Sequence, residues 1–141
     1  MKPIEEIDAS QYDHEHFLGN YKRNNKPLVI RNALGTFDVG TSYQNWSLEY
    51  LSKKCGQNKV HVRRNTIAEA YKVGQAYFAE ETTFQSYVDD LLAENEMSKN
   101  SYLAVQNLRK AFPQIFEELK PAPFVQKLHG GPFLWIARAG K

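Results

Sequence analysis

Side chains of the kind that hold metals come together in one place along the chain, Asp13-His14-Glu15-His16. A zinc or iron centre needs three or four such groups converging on one point. On a helix, residues two apart lie about 200° apart around the axis, so His14 and His16 face different ways and read as solvent-facing polar residues. Thiol chemistry would fall to Cys55, the single cysteine. It follows Lys53 and Lys54 at the expected C-terminal end of a helix, where the dipole disfavours a thiolate, and it reads as a small buried residue. Phosphate recognition would fall to His61, Arg63 and Arg64, a small basic group on a strand whose ordinary reading is a solvated face and whose sharper one is an RNA-contacting surface. His129, in Leu-His-Gly-Gly, sits at a turn and is explained by turn polarity. Nucleophile elbow, Walker loop and dinucleotide fingerprint are all missing from the sequence. Four aromatics, Trp46, Tyr50, Tyr102 and Trp135, fit the core or its rim.

The elements that must position these groups are short. Ser10 or Asp13 can cap a helix running through Phe17, Leu18 and Tyr21 and ending at Asn24-Asn25. Pro27 leads into a strand, Leu28 to Ile30, and residues 35 to 45 read as a loop rich in glycine, serine, threonine and asparagine. Ser47 is a good cap for the helix SLEYLSKKC, with Glu49 in its first turn, Lys53 and Lys54 in its last, and Gly56 placed for a left-handed stop. Val60 and Val62 alternate with His61 and Arg63 in KVHVRR, the mark of a half-buried strand. Residues 65 to 75 are ambiguous, and AYFAE at 76 to 80 reads as a short strand. Thr82 or Thr83 caps a helix whose stripe is Phe84, Tyr87, Val88, Leu91 and Leu92. NEMSKN is a linker and SYLAVQNL a strand. Pro113 opens the helix PQIFEEL, which Lys120-Pro121-Ala122-Pro123 breaks. A Gly-Gly-Pro turn then leads into FLWIA, a run of bulky apolar residues that reads as a buried strand, followed by an Ala139-Gly140 turn.

These 141 residues suffice for one domain, 1–141, with a real core. A formal net charge of +2 carries no field that argues for nucleic acid or membrane by itself. No run approaches membrane-spanning length, MKPIEEIDAS lacks the apolar core of a signal peptide, and one cysteine forms no intrachain disulfide. The expectation is a cytosolic or nuclear protein without a membrane partner. Because the last predicted strand has no successor, its edge is expected to need other polypeptide beside it.

Three stretches, taken in order, carry more. KPLVIRNAL, NWSLEYLSKKCGQNKVHV, and SYLAVQNLRKAFPQIFEEL followed by FLWIARAG together resemble the N-terminal half of the JmjC-domain, cupin-like Fe(II)/2-oxoglutarate hydroxylases. The likeness covers about residues 26 to 140 and lies in three family features: a proline-led strand, a Trp-Ser-x-x-Tyr-Leu helix before a Val-x-Val strand, and a Tyr-Leu-x-x-Gln strand with a later Leu-Trp-Ile-Gly strand. It implies an α+β fold, the N-terminal portion of a cupin-like double-stranded β-helix (jelly roll) with flanking helices, its barrel incomplete in this chain.

For the intact protein the resemblance implies Fe(II) and 2-oxoglutarate as cofactors, with decarboxylation to succinate coupled to hydroxylation of a protein side chain or, less often, an RNA base. It maps one functional residue, Tyr102, which matches the tyrosine that donates its hydroxyl to the distal carboxylate of 2-oxoglutarate. Trp46, Tyr50 and Trp135 match structural positions. Ala137 stands where the family usually has glycine, and none of His14, His16, His61 or His129 is followed two residues later by an acid, so the His-x-Asp part of the family's iron triad is not present. The chain is therefore expected to stop before its first iron ligand and to hold no cofactor and no catalytic or metal-binding residue by itself. Completion of the barrel by a missing C-terminal half or a second chain is expected, a homodimer included. The competing expectation is a non-catalytic binding or oligomerisation module that uses an open sheet edge.

Overall fold

The computed structural model of the chain describes residues 3–64, 78–125 and 131–138. Residues 65 to 75, the start of the strand expected at 76, the turn at His129 and the Ala139-Gly140 turn lie outside them. The chain divides into two compact units, Met1–Tyr43 with Glu118–Leu128, and Gln44–Glu117 with His129–Lys141.

In the first unit, β1 (Glu5–Asp8) and β2 (Leu28–Arg31) pair in parallel, Glu5 opposite Leu28 and Asp8 opposite Arg31. The sequence Glu-Glu-Ile-Asp carries no strand pattern, so β1 was not expected. It is fastened by charge: Lys26 meets Glu5 at 2.7 Å, Arg31 donates Nε and Nη2 to the Glu6 carboxylate at 2.9 Å each, and Asn32 donates to Asp8 at 2.6 Å. Asp13 accepts from the His16 N–H at 2.6 Å and caps His14–Phe17. That helix widens into a π turn, Leu18–Lys22, before Asn25 turns the chain at φ +50°. Overlapping the two ends of the expected loop 35–45, helical turns form at Ala33–Thr36 and Ser42–Asn45. Gly40 cannot be replaced freely: at φ +83° a Cβ would stand 2.1 Å from the carbonyl oxygen of Glu118, with which the backbone here is bridged. Tyr12, Phe17, Phe37 and Phe124 form a small aromatic cluster, Tyr12 and Phe37 edge to face at 5.5 Å.

The second unit is a four-stranded antiparallel sheet in the order β4 (Phe78–Thr83), β3 (Lys59–Arg64), β5 (Tyr102–Asn107), β6 (Phe133–Ala137). Helices α1 (Leu48–Cys55) and α2 (Phe84–Ala93) pack on each other, with the Ser52 hydroxyl bonded to Gln85 and the Gln85 N–H donating to the Gly56 carbonyl at 2.8 Å. Ser47 and Thr83 cap them through Tyr50 N–H and Ser86 N–H. Gly56 is right-handed, φ −54°, not the left-handed stop expected: the backbone continues its turn so that its carbonyl can meet Gln85. Along α2, Phe84, Tyr87, Val88 and Leu91 are buried as expected, but Leu92 lies 57% exposed, because a stripe five residues wide exceeds the face the sheet covers. Asn95 caps a further helical turn, Glu96–Lys99, inside the expected linker. Pro113 opens a single turn, Pro113–Phe116, shorter than expected.

The core lies on one face of the sheet. Val60, Val62, Leu103, Leu108, Phe84, Phe112, Tyr87 and Ile115 are all essentially inaccessible, and Phe84 meets Phe112 edge to face at 5.1 Å. Each such aliphatic or phenyl side chain contributes roughly 1.5–3 kcal/mol. Cys55 is buried. Tyr87 ties the layers together, accepting from the Leu103 N–H at 3.1 Å and donating to the Ile136 carbonyl at 2.6 Å. No closed barrel forms among the described residues, and none of their helices is long and apolar enough to cross a membrane.

Candidate functional site

Antiparallel pairing decides which side chains share the other face of the sheet. Residues directly opposite one another point the same way. Arg63 on β3 stands opposite Tyr102 on β5, and Tyr102 stands opposite Ala137 on β6. His61, two residues before Arg63, and Trp135 and Phe133, two and four before Ala137, therefore lie on that same face. Helix α2 packs on the opposite side, and among the described residues this one stays open: Trp135 is 57% exposed and Phe133 41%. The expectation that FLWIA is buried is corrected by this arrangement. Leu134 and Ile136 turn toward the covered face, while the alternating partners Phe133 and Trp135 have nothing described above them.

Tyr102 is half-buried, and its phenolic oxygen accepts a hydrogen bond from Arg63 Nη1 at 2.8 Å. The guanidinium also lies 5.5 Å from the centre of the Tyr102 ring, within cation–π range. Nearby on β3, Lys59 and His61 share one carboxylate, Glu81, at 2.8 and 3.8 Å. Arg64 does not join this group. One residue on from Arg63 it points through the sheet, 3% exposed, and its guanidinium meets Glu80 at 2.7 Å, Asp90 at 2.9 Å and the Ser101 hydroxyl at 3.1 Å. Burial alone would lower its pKa, but those carboxylates outweigh it and hold the group above its ordinary value. A three-residue basic surface of His61, Arg63 and Arg64 is thus not what the strand presents.

A bulge shapes β5 just past Tyr102. The register to β6 shifts between Leu103 and Gln106, and Val105 adopts φ +52°. Gln106, the glutamine of the Tyr-Leu-x-x-Gln pattern, bonds across the break by donating to the His61 carbonyl at 3.1 Å and the Ala104 carbonyl at 2.7 Å. It is a buried polar group satisfied by backbone. Gly131 delivers the chain to β6 at φ +86°, where a Cβ would stand 3.1 Å from the Asn107 amide.

The remaining candidates keep apart from this face or serve structure. His14 pairs with the Tyr12 hydroxyl and His16 with Asn20, each at 2.9 Å, and they do not converge. Tyr50 lies beneath the Lys54 ammonium at 5.0 Å on α1, and Trp46 is half-buried ahead of that helix. Among the described residues no group of three or more His, Cys, Asp or Glu side chains could hold a metal, so these residues do not fit an iron centre. Tyr102 and Arg63 place a phenol and a guanidinium 2.8 Å apart, donors of the kind a carboxylate takes. The sequence pattern points Arg63 outward but does not pair it with Tyr102. That pairing depends on the register of two strands 39 residues apart, for which no local signal exists.

A comparison with curated proteins returns no match. A family model for the cupin-like domain matches residues 14–139 and so runs through both units and every strand but β1. The helix-backed antiparallel sheet with one open face is an α+β partial jelly roll, and the chain belongs to the cupin-like domain family.

Proposed function

We propose that the chain forms part of a 2-oxoglutarate- and Fe(II)-dependent oxygenase that hydroxylates a protein substrate, or an RNA, in the cytosol or nucleus. The observation that carries this reading is the placing of Tyr102, the residue the resemblance assigns to 2-oxoglutarate, on the open face of a cupin-like sheet with its hydroxyl held by Arg63. We read the two compact units as one domain, because the family match crosses both. In this reading the iron ligands come from polypeptide outside the described residues. Iron and 2-oxoglutarate supply the oxidising power when bound. The chain's own residues anchor the ligand: Tyr102 donates to the distal carboxylate, and Trp135 on β6 lends aromatic surface to the same face of the sheet.

The test is succinate release by the protein expressed in its native reading frame, with Fe(II), ascorbate, oxygen and 2-oxoglutarate. Turnover is expected, and Tyr102→Phe is expected to raise the KM for 2-oxoglutarate about tenfold, the loss of one hydrogen bond to a charged group. An iron-loaded protein that never forms succinate sinks the reading.

A second reading follows from the exposure of β6, the last strand in the sheet, with Trp135 and Phe133 open beside it. It makes the chain a binding or oligomerisation module that lends this edge to a partner. Sedimentation across a concentration range separates the two: a tight complex without turnover favours the module.

A further inference from the structure

We propose that Arg63 is a positioning residue for a carboxylate ligand and acts through Tyr102. The inference rests on the reading of Tyr102 as a dicarboxylate contact, and it adds to that reading a residue on a different strand. Its core is the direction of one hydrogen bond. A guanidinium has five N–H donors and no acceptor, so at 2.8 Å from Arg63 Nη1 the Tyr102 oxygen must be the acceptor. The single phenolic proton is then turned away from Arg63 and is left to donate. Without Arg63 a phenol rotates between donating and accepting, and an approaching carboxylate must select the donating rotamer. With it, the oxygen's lone pair is taken and the proton is committed.

Three further observations support the assignment. The two residues occupy one rung of the antiparallel sheet, opposite each other on β3 and β5, so rigid strands and not a loop set their spacing. The guanidinium lies 5.5 Å from the ring centre, which restrains the plane of the phenol as well as its hydroxyl. Finally, the other outward basic residues of β3, Lys59 and His61, both meet Glu81, and Arg63 occupies the rung between Ala79 and Tyr102. A guanidinium bonded to the phenolic oxygen polarises the O–H and adds to its strength as a donor. The ligand class this pair selects is a carboxylate at the end of a short apolar chain.

The experiment uses the chain with carbon-13-labelled tyrosine rings, titrated with glutarate, a five-carbon dicarboxylate lacking the keto group a metal would chelate. Glutaramide, its uncharged diamide, is the control. The Tyr102 resonance is expected to move saturably with glutarate and not with glutaramide. Arg63→Gln is expected to weaken the response about tenfold or more, and Arg63→Lys, which keeps the charge but loses the planar fork, to fall between. A structural role alone would lower the melting temperature equally in the presence and absence of glutarate and leave the affinity unchanged. Equal affinity in Arg63→Gln and the unsubstituted chain overturns the proposal while leaving Tyr102 as a contact. If Arg63→Gln fails to fold, unchanged affinity in Arg63→Lys overturns it instead. An unsubstituted chain whose Tyr102 ignores glutarate removes the contact itself and the proposal with it.

Discussion

Two neighbouring arginines on β3 show how much one step along a strand changes. Arg63 faces outward to a phenol, and Arg64 points inward to a pair of carboxylates and a serine. The inward one is a buried charge whose carboxylate partners are partly in water, so removing either carboxylate would leave the guanidinium less compensated inside the fold. Tyr87 is a further buried residue with a polar task, because its hydroxyl bonds strands β5 and β6 at once. Burial pushes its pKa up to about 12, which the Leu103 N–H and the Arg64 charge only partly oppose. The sign follows directly: an acid whose folded pKa is raised favours the neutral form. Its contribution is complete below the unfolded value of about 10 and is lost as pH rises toward the folded one. Alkaline unfolding is thus expected to set in between about pH 10 and 12, and Tyr87→Phe should remove that step. The same substitution should cost about 1–3 kcal/mol at neutral pH, since it takes the hydroxyl away from a buried N–H and a part-buried carbonyl. Urea unfolding at pH 7 and a melting curve against pH check both.

Among the elements, β1 and β2 are held unlike the rest. Their pairing is short, parallel and flanked by exposed ions. Bonds from Lys26, and then from the Tyr21 hydroxyl, hold Glu5 below its ordinary pKa; Arg31 does so for Glu6, and the Ser10 hydroxyl and amide, with Asn32, for Asp8. All three are lowered acids, so the stability they lend is present above their unfolded values near pH 4 and is lost as pH falls through the lower folded values. Amide exchange within β1 and β2 is therefore expected to speed up below about pH 4 while β3 and β5 stay protected, and added salt should shrink the difference. Uniform acceleration across both strand sets would show that the ion pairs do not govern this unit's opening.

At the scale of the whole molecule, the second unit is finished on one side of its sheet and open on the other. The covered side carries Val60, Val62 and Leu103, and the side left open among the described residues carries Trp135 and Phe133. Two exposed aromatic rings 6.2 Å apart on an edge strand mark a surface suited to another group. If so, Trp135→Ser should leave the melting temperature within a few degrees, because little burial is lost, while reducing apolar-dye binding and solubility losses at high concentration. A drop in melting temperature comparable to that of a core substitution would place Trp135 inside the packing instead. The same surface is where the carboxylate site is proposed, so a covering polypeptide would also enclose it.

What the sequence determined by itself was everything set by local pattern and chain order. The helix starts at Ser47 and Pro113, the choice of caps that the structure settles at Asp13 and Thr83, the alternation of Val60 and Val62 with His61 and Arg63, and the burial of Cys55 follow from side-chain period and capping chemistry. The partial jelly-roll class came from the resemblance of three ordered stretches to the cupin-like family, and the family match agrees with it. Local pattern misses β1, which pairs through ions and not through apolar alternation, and it misreads β6 as buried, because an apolar run cannot say whether both of its faces are covered. Tertiary structure alone decided that Arg63 meets Tyr102, that Arg64 turns to Glu80 and Asp90, and that Gln106 closes the ladder across a bulge. Each of these depends on the register between strands distant in sequence, and a shift of one residue would send every side chain to the opposite face.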